Sequence, residues 1–221
     1  MVPGDGGAHL RTGLSPPDGC PRRAVIRAGS ATAVRAATIG TGAALTAAIP
    51  LTFSANGGPS ELDGVVSRHA VSPGLAQVLV APSNAPVVVA LLVAAGAFFA
   101  LRRQWWQAVT TLVVPEIALA VNTWLLKPLW DRRLDEHLAY PSGHTVHLVA
   151  VATTFACLVA ELRVRIAVAT LTVLALIAIT PAMAELGYHR PTDVLGGAAA
   201  AASMAIGLCW LSEALHAGRG P

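Results

Sequence analysis

Three short segments hold most of the residues able to do chemistry: Lys127-Pro-Leu-Trp-Asp-Arg-Arg133, Pro141-Ser-Gly-His144 and Gly187-Tyr-His-Arg-Pro-Thr-Asp193. Together they suit a phosphate monoester. Lys127, with Arg132 or Arg133, offers positive charge and forked donors to the non-bridging oxygens. Ser142 and Gly143 precede an apolar helix, and the free N–H groups of a helix N-terminus attract anions. Gly143 also lets the backbone approach closely. Asp193 follows His189 by four positions, so its carboxylate can hold one ring nitrogen protonated and leave the other to attack phosphorus. His144, from a different helix end, could protonate the departing alkoxide and then, as a base, activate water. A three-histidine metal site built from His144, His147 and His189 is the competing arrangement. The H-E-x-x-H spacing that would support it is absent, so no metal or other cofactor is expected.

These residues resemble the type-2 phosphatidic acid phosphatase family, whose pattern is K-x6-R-P, then P-S-G-H, then S-R-x5-H-x3-D. P-S-G-H is complete at Pro141–His144, H-x3-D is complete at His189–Asp193, and Lys127 lies upstream at the expected place. Over about residues 33–212 the resemblance implies a membrane phosphatase of six helices, with His189 as nucleophile and His144 as acid. The implied substrate is a lipid phosphate or polyprenyl diphosphate. Two motifs depart from the pattern: Leu134 and Asp135 stand where the first has arginine and proline, and Ala182 and Met183 where the third has serine and arginine. Arg132 or Arg133 is the available replacement in the first, and Arg190 the nearest in the third. Those departures keep two alternatives in view. One is a phosphotransferase using the same phosphohistidine; the other is a relative that binds or transports lipid without hydrolysis.

The elements that must position these residues are read from hydropathy. Of 221 residues, 54% are hydrophobic and 12% charged, against about 25% charged in soluble domains. The expected fold class is therefore all-α, a polytopic membrane bundle. Six apolar stretches, at about 33–53, 83–101, 105–126, 144–161, 164–186 and 193–212, each approach the ~17–25 residues that cross a bilayer as a helix. Residues 1–32, rich in Gly, Pro and Arg, are expected to form a disordered basic tail, and 213–221 a short second one. Glu61–Val71, in the longest loop, is a candidate interfacial helix. Trp105, Trp106 and Trp130 suit the interface belt. Glu116 and Asn122 are expected to face the bundle interior, and Gly196–Ala202 to form a close helix-packing surface.

Basic residues set the orientation. Arg11, Arg22, Arg23, Arg27, Arg35, Arg102, Arg103, Arg163, Arg165 and Arg219 fall on one face, expected to be cytoplasmic with both termini. Lys127, Arg132, Arg133 and Arg190 cluster on the opposite face, where an anion would account for them. A net charge of +3 comes almost wholly from arginines scattered between apolar runs, which argues against a nucleic-acid partner. Cys20, Cys157 and Cys209 suggest neither a disulfide framework nor a zinc site. Composition points to a GC-rich bacterial source and hence a plasma membrane. No oligomeric state is implied.

Overall fold

A computed structural model describes residues 21–54, 58–67 and 71–218. Two compact units divide the chain, Met1–Val34 and Arg35–Pro221. Helix α1 (Pro21–Ala48) begins inside the stretch expected to be an unstructured tail. The elements after it are α2 (Glu61–Ser67), α3 (Pro73–Val80), α4 (Ala85–Leu101), α5 (Trp105–Val121), α6 (Lys127–Trp130), β1 (Arg133–Leu134), β2 (His137–Leu138), α7 (Gly143–Leu158), α8 (Leu162–Glu185) and α9 (Pro191–Ala217). α9 thus continues past the expected boundary at 212.

Among the described residues, five helical stretches are long and apolar enough to cross a membrane: Thr32–Thr52, Pro73–Leu101, Trp105–Trp130, Leu162–Glu185 and Pro191–Ala217. The second is longer than hydropathy suggests. It opens at Ser72-Pro73, with proline at the start of the helix, where its missing N–H costs nothing. A 3-10 turn at Ala81–Ser83 then joins α3 to α4.

The fourth apolar stretch, expected at 144–161, forms a shorter helix than the others. α7 has 16 residues, about 24 Å at 1.5 Å each, against a hydrocarbon layer of about 30 Å. Ser142 starts it by accepting a hydrogen bond from the Thr145 N–H, and Val159 ends it in extended conformation. The helix can be short because it is the centre of the bundle. Its Thr145–Val151 segment is buried throughout, and its side chains join two apolar cores. Leu148 and Val151 pack with Val80, Leu92, Ile179 and Met183. Val146, Val149 and Ala150 pack with Val114, Ala118, Ala201 and Ala205.

Polar contacts separate the two ends of the bundle. At one, Arg35 pairs with Glu213, Arg102 approaches Glu161 at 3.7 Å and Trp106 stacks on His216. At the other lie the chemistry-bearing segments. Trp130 belongs there too, packed edge-on against Tyr140 with ring centroids 6.2 Å apart.

Small residues let α9 come close to that end. A Cβ on Gly196 would lie 2.2 Å from the Tyr140 ring, and one on Gly197 would lie 2.8 Å from the Ser142 carbonyl oxygen. The Gly196–Ala202 surface therefore packs as its composition suggests. Glu116 and Asn122 also reach across helices. Glu116 meets His147 of α7, and the Asn122 amide donates to the Pro141 carbonyl.

Candidate active site

His144 occupies the first turn of α7, beside the Ser142 cap. His189 arrives from the other direction, in the loop that leaves α8. There Gly187 adopts φ +68, a left-handed conformation natural to glycine. The Tyr188 N–H then donates to the Met183 carbonyl, and Pro191 opens α9 directly afterwards. The two imidazoles meet with centroids 5.7 Å apart and planes at 71°. Both line a cavity of about 380 Å³, together with Lys127, His137, His147 and Tyr188.

Lys127 reaches this cavity after a π-helical turn, Asn122–Leu126, between α5 and α6. Such turns shift the helical register and are frequent at functional sites. Its ammonium donates to the Leu138 carbonyl at 2.6 Å, and its Cε lies 3.9 Å from the position a Gly143 Cβ would take. The Lys127 side chain thus runs beside Gly143 at the start of α7.

The strands β1 and β2 form a hairpin pairing Arg133 with Leu138 and Leu134 with His137. Asp135, at its tip, has φ 52, which Asp tolerates better than most residues. The hairpin brings in His137, whose Nε2 lies 3.1 Å from the Tyr188 carbonyl and whose ring is 6.0 Å from His189. His137 reads in sequence as a membrane-interface anchor, and nothing local identifies it as a cavity residue. Tyr188, stacked on His144 at 6.3 Å, was equally silent.

Burial pushes the His189 pKa down to about 3, and the positive charge of Lys127 and the neighbouring His144 and His137 act in the same direction. Its ring is therefore neutral at ordinary pH. Nδ1 is buried and makes no hydrogen bond among the described residues.

The spacing-based expectation that Asp193 holds the ring differs from what the structure contains. One Asp193 oxygen accepts from the Arg190 N–H at 2.8 Å, and the other from Arg132 at 2.6 Å. The physical reason is local. Asp193 is the third residue of α9, the position from which an acidic side chain folds back to cap the helix start.

Arg132 likewise serves a different purpose from the expected one. Its guanidinium is 1% exposed and donates to Asp193, to the Thr192 hydroxyl at 2.7 Å, to the Gly58 carbonyl at 3.0 Å and to Asp63 at 3.0 Å. It also lies over the Phe53 ring, 3.6 Å from the centroid. Two carboxylates and several oxygens already engage it, so it does not line the cavity.

Arg133 is 67% exposed and pairs with Asp131. Arg190 provides the N-cap backbone of α9, and Ser142 is a buried helix cap. Of the expected phosphate-binding residues, Lys127 and Gly143 line the cavity; Arg132, Arg133, Arg190 and Ser142 do not.

Asp63 is the residue sequence reading missed. It is buried on α2, accepts from the Ser60 and Thr192 N–H groups at 2.8 and 2.9 Å, and pairs with Arg132. Burial would raise its pKa, but the hydrogen bonds from Ser60, Thr192 and Arg132 outweigh it and hold the carboxyl below its ordinary value. A signal was present: Ser60-Glu-Leu-Asp63 is a capping-box spacing, and the Asp63 N–H does bond the Ser60 hydroxyl. That helix, Glu61–Ser67, occupies the first part of the expected Glu61–Val71 element. Residues 68–70, with Arg68 and His69, lie outside the described residues.

The chain is a multi-pass helical bundle of the membrane-spanning kind, with two close imidazoles and a lysine around one cavity. The PAP2 superfamily profile matches residues 36–216, and the chain belongs to that superfamily. The crystal structure of the first transmembrane PAP2 type phosphatidylglycerolphosphate phosphatase from Bacillus subtilis has the same fold. It is 25% identical, with a TM-score of 0.60 over 83% of this chain and 96% of the other. No curated protein matches the sequence. Family and neighbour together support phosphatase activity for this chain.

Proposed function

We propose that this protein removes the terminal phosphate from a lipid phosphate without a metal ion, through a phosphohistidine on His189. The observation that carries this reading is the His144–His189 pair, 5.7 Å apart, in a cavity shared with Lys127. The Lys127 ammonium and the first N–H groups of α7 neutralise the phosphate oxygens. Neutral His189 attacks phosphorus as the bond to the leaving oxygen breaks, and His144, in the fraction that carries a second ring proton, gives that proton to the oxygen; burial and the Lys127 charge hold its pKa below the ordinary value, so this fraction falls as pH rises. The lipid alcohol departs. Water then attacks the phosphohistidine, His144 takes the water's proton, and inorganic phosphate leaves with His189 restored. Asp193 contributes by anchoring the start of α9, and His189 beside it, rather than by bonding the ring. The arginine asymmetry of the loops supports an active site on the extracytoplasmic face of a bacterial plasma membrane.

The test uses purified protein in detergent with EDTA and a panel of phosphatidic acid, phosphatidylglycerol phosphate and polyprenyl phosphates. Inorganic phosphate should be released, and His189→Ala should abolish release and the acid-labile phosphoenzyme trapped from radiolabelled substrate. Release that requires added divalent metal would overturn the mechanism. Binding without release from any lipid would overturn the activity.

A further inference from the structure

The cavity is short of positive charge for a phosphate monoester, which carries close to two negative charges near neutral pH. Among its described lining residues Lys127 is the one ammonium, and no guanidinium joins it. Arg132 is engaged by the Asp63 and Asp193 carboxylates, and the exposed Arg133 pairs with Asp131. His189 must be neutral to attack, and His144 gives its proton to the leaving oxygen. His147 is turned to Glu116 of α5, whose Oε1 lies 3.0 Å from its Nε2. The remaining imidazole of the lining is His137.

The hairpin places His137 beside Lys127. The Lys127 ammonium donates to the carbonyl of Leu138, the next residue of β2. His137 is exposed, and its ring stands at 87° to that of His189 with centroids 6.0 Å apart. Its Nε2 lies 3.1 Å from the Tyr188 carbonyl oxygen. A carbonyl oxygen only accepts, so Nε2 carries hydrogen, and the neutral ring then has a bare Nδ1 with lone-pair density that an anion avoids. A second proton turns Nδ1 into a donor and gives the ring a full charge, while the Tyr188 contact is kept. The groups facing the ring are Lys127 of α6, His144 of α7, and Tyr188 and His189 of the loop before α9, and no carboxylate is among the lining residues. Asp135 and Glu136 of the same hairpin are exposed and line no part of the cavity. A dianion is the counter-charge that this cluster lacks.

We propose that the His137 imidazolium, together with Lys127, binds the phosphate group, so that anion affinity rises as pH falls through the histidine range. This deepens the phosphatase reading above and rests on it for the identity of the anion.

Sulfate is the probe, a tetrahedral dianion that keeps its charge across this pH range and is not turned over. Its binding to the purified full chain in detergent is measured by calorimetry at pH 5.5 and pH 8, at constant ionic strength, for the wild type, His137→Gln and His137→Arg. Glutamine retains an N–H for the Tyr188 carbonyl but never becomes charged. His137→Gln should bind sulfate about tenfold more weakly than the wild type at pH 5.5, as for one charge-assisted hydrogen bond, and equally at pH 8. His137→Arg should match the wild type at pH 5.5 and exceed it about tenfold at pH 8. KM for phosphatidic acid should follow the same pattern, with kcat changing less.

Equal sulfate affinity of the wild type and His137→Gln at pH 5.5 would overturn the proposal. So would a loss of the same size at both pH values, which marks a structural role for the ring, or an arginine variant that binds no better than the glutamine one at either pH. Failure of the phosphatase reading is visible separately: the wild type would release no phosphate from phosphatidic acid while sulfate binding kept its dependence on His137.

Discussion

At the residue scale, the protonation of His189 governs what the pair can do. Burial and three neighbouring basic side chains keep its pKa near 3, so the ring is ready to attack without first losing a proton. In histidine-labelled protein, the resonance that disappears in His189→Ala should hold its shift from pH 8 to pH 5. Its linkage to stability has a definite sign. The unfolded ring titrates near 6.5 and the folded one near 3, so the unfolded state takes up the proton first. Stability is lost as pH falls below about 6.5. Replacing His189 by glutamine should flatten the melting temperature against pH between roughly 6 and 4. The motif residues were legible because their types and spacing are chemically specific. The partner of Asp193 was not, because a four-residue separation permits both a bond to His189 and the capping of α9. Only the backbone around Pro191 decides between them.

At the scale of elements, Arg132 ties α2, the hairpin and the start of α9 together through two buried carboxylates. Arg132→Ala would strand both charges and should destabilise the protein by about 3–5 kcal/mol, seen as a lower melting temperature in detergent. Arg133→Ala removes only an exposed pair and should stay within about 0.5 kcal/mol. The Asp63 carboxyl, held below its ordinary pKa, contributes its stabilisation above about pH 3.9 and loses it as pH falls through the lower folded value. Gly196→Ala should open the α9–Tyr140 contact, since the added carbon would meet the ring at 2.2 Å. The expected readout is lower stability together with lower activity. Spanning elements were legible from apolar runs alone. The hairpin was not: four paired residues carry no hydropathy pattern, and its registry depends on the tertiary contacts of Arg132 and His137.

At the scale of the whole molecule, the apolar exterior and the grouping of arginines at the Arg35 end follow from composition, and hydropathy located all six apolar segments. Hydropathy could not reveal that one of them is central, because an apolar helix wrapped by protein and one facing lipid read alike. Cysteines placed singly in the α4–α5 and β1–β2 loops of a cysteine-free variant should label from opposite sides of sealed vesicles. Labelling of both from one side would overturn this topology, and labelling of the β1–β2 loop from the cytoplasmic side would reverse the proposed orientation. The shortness of α7 has a mechanical consequence. Because this helix is enclosed by its neighbours, thinning or thickening the surrounding bilayer acts on the tilt of the outer helices, while the one bearing His144 is shielded from hydrophobic mismatch. Turnover reconstituted into short-chain and long-chain phosphatidylcholine should accordingly vary little, even where the thermal stability of the protein shifts with membrane thickness.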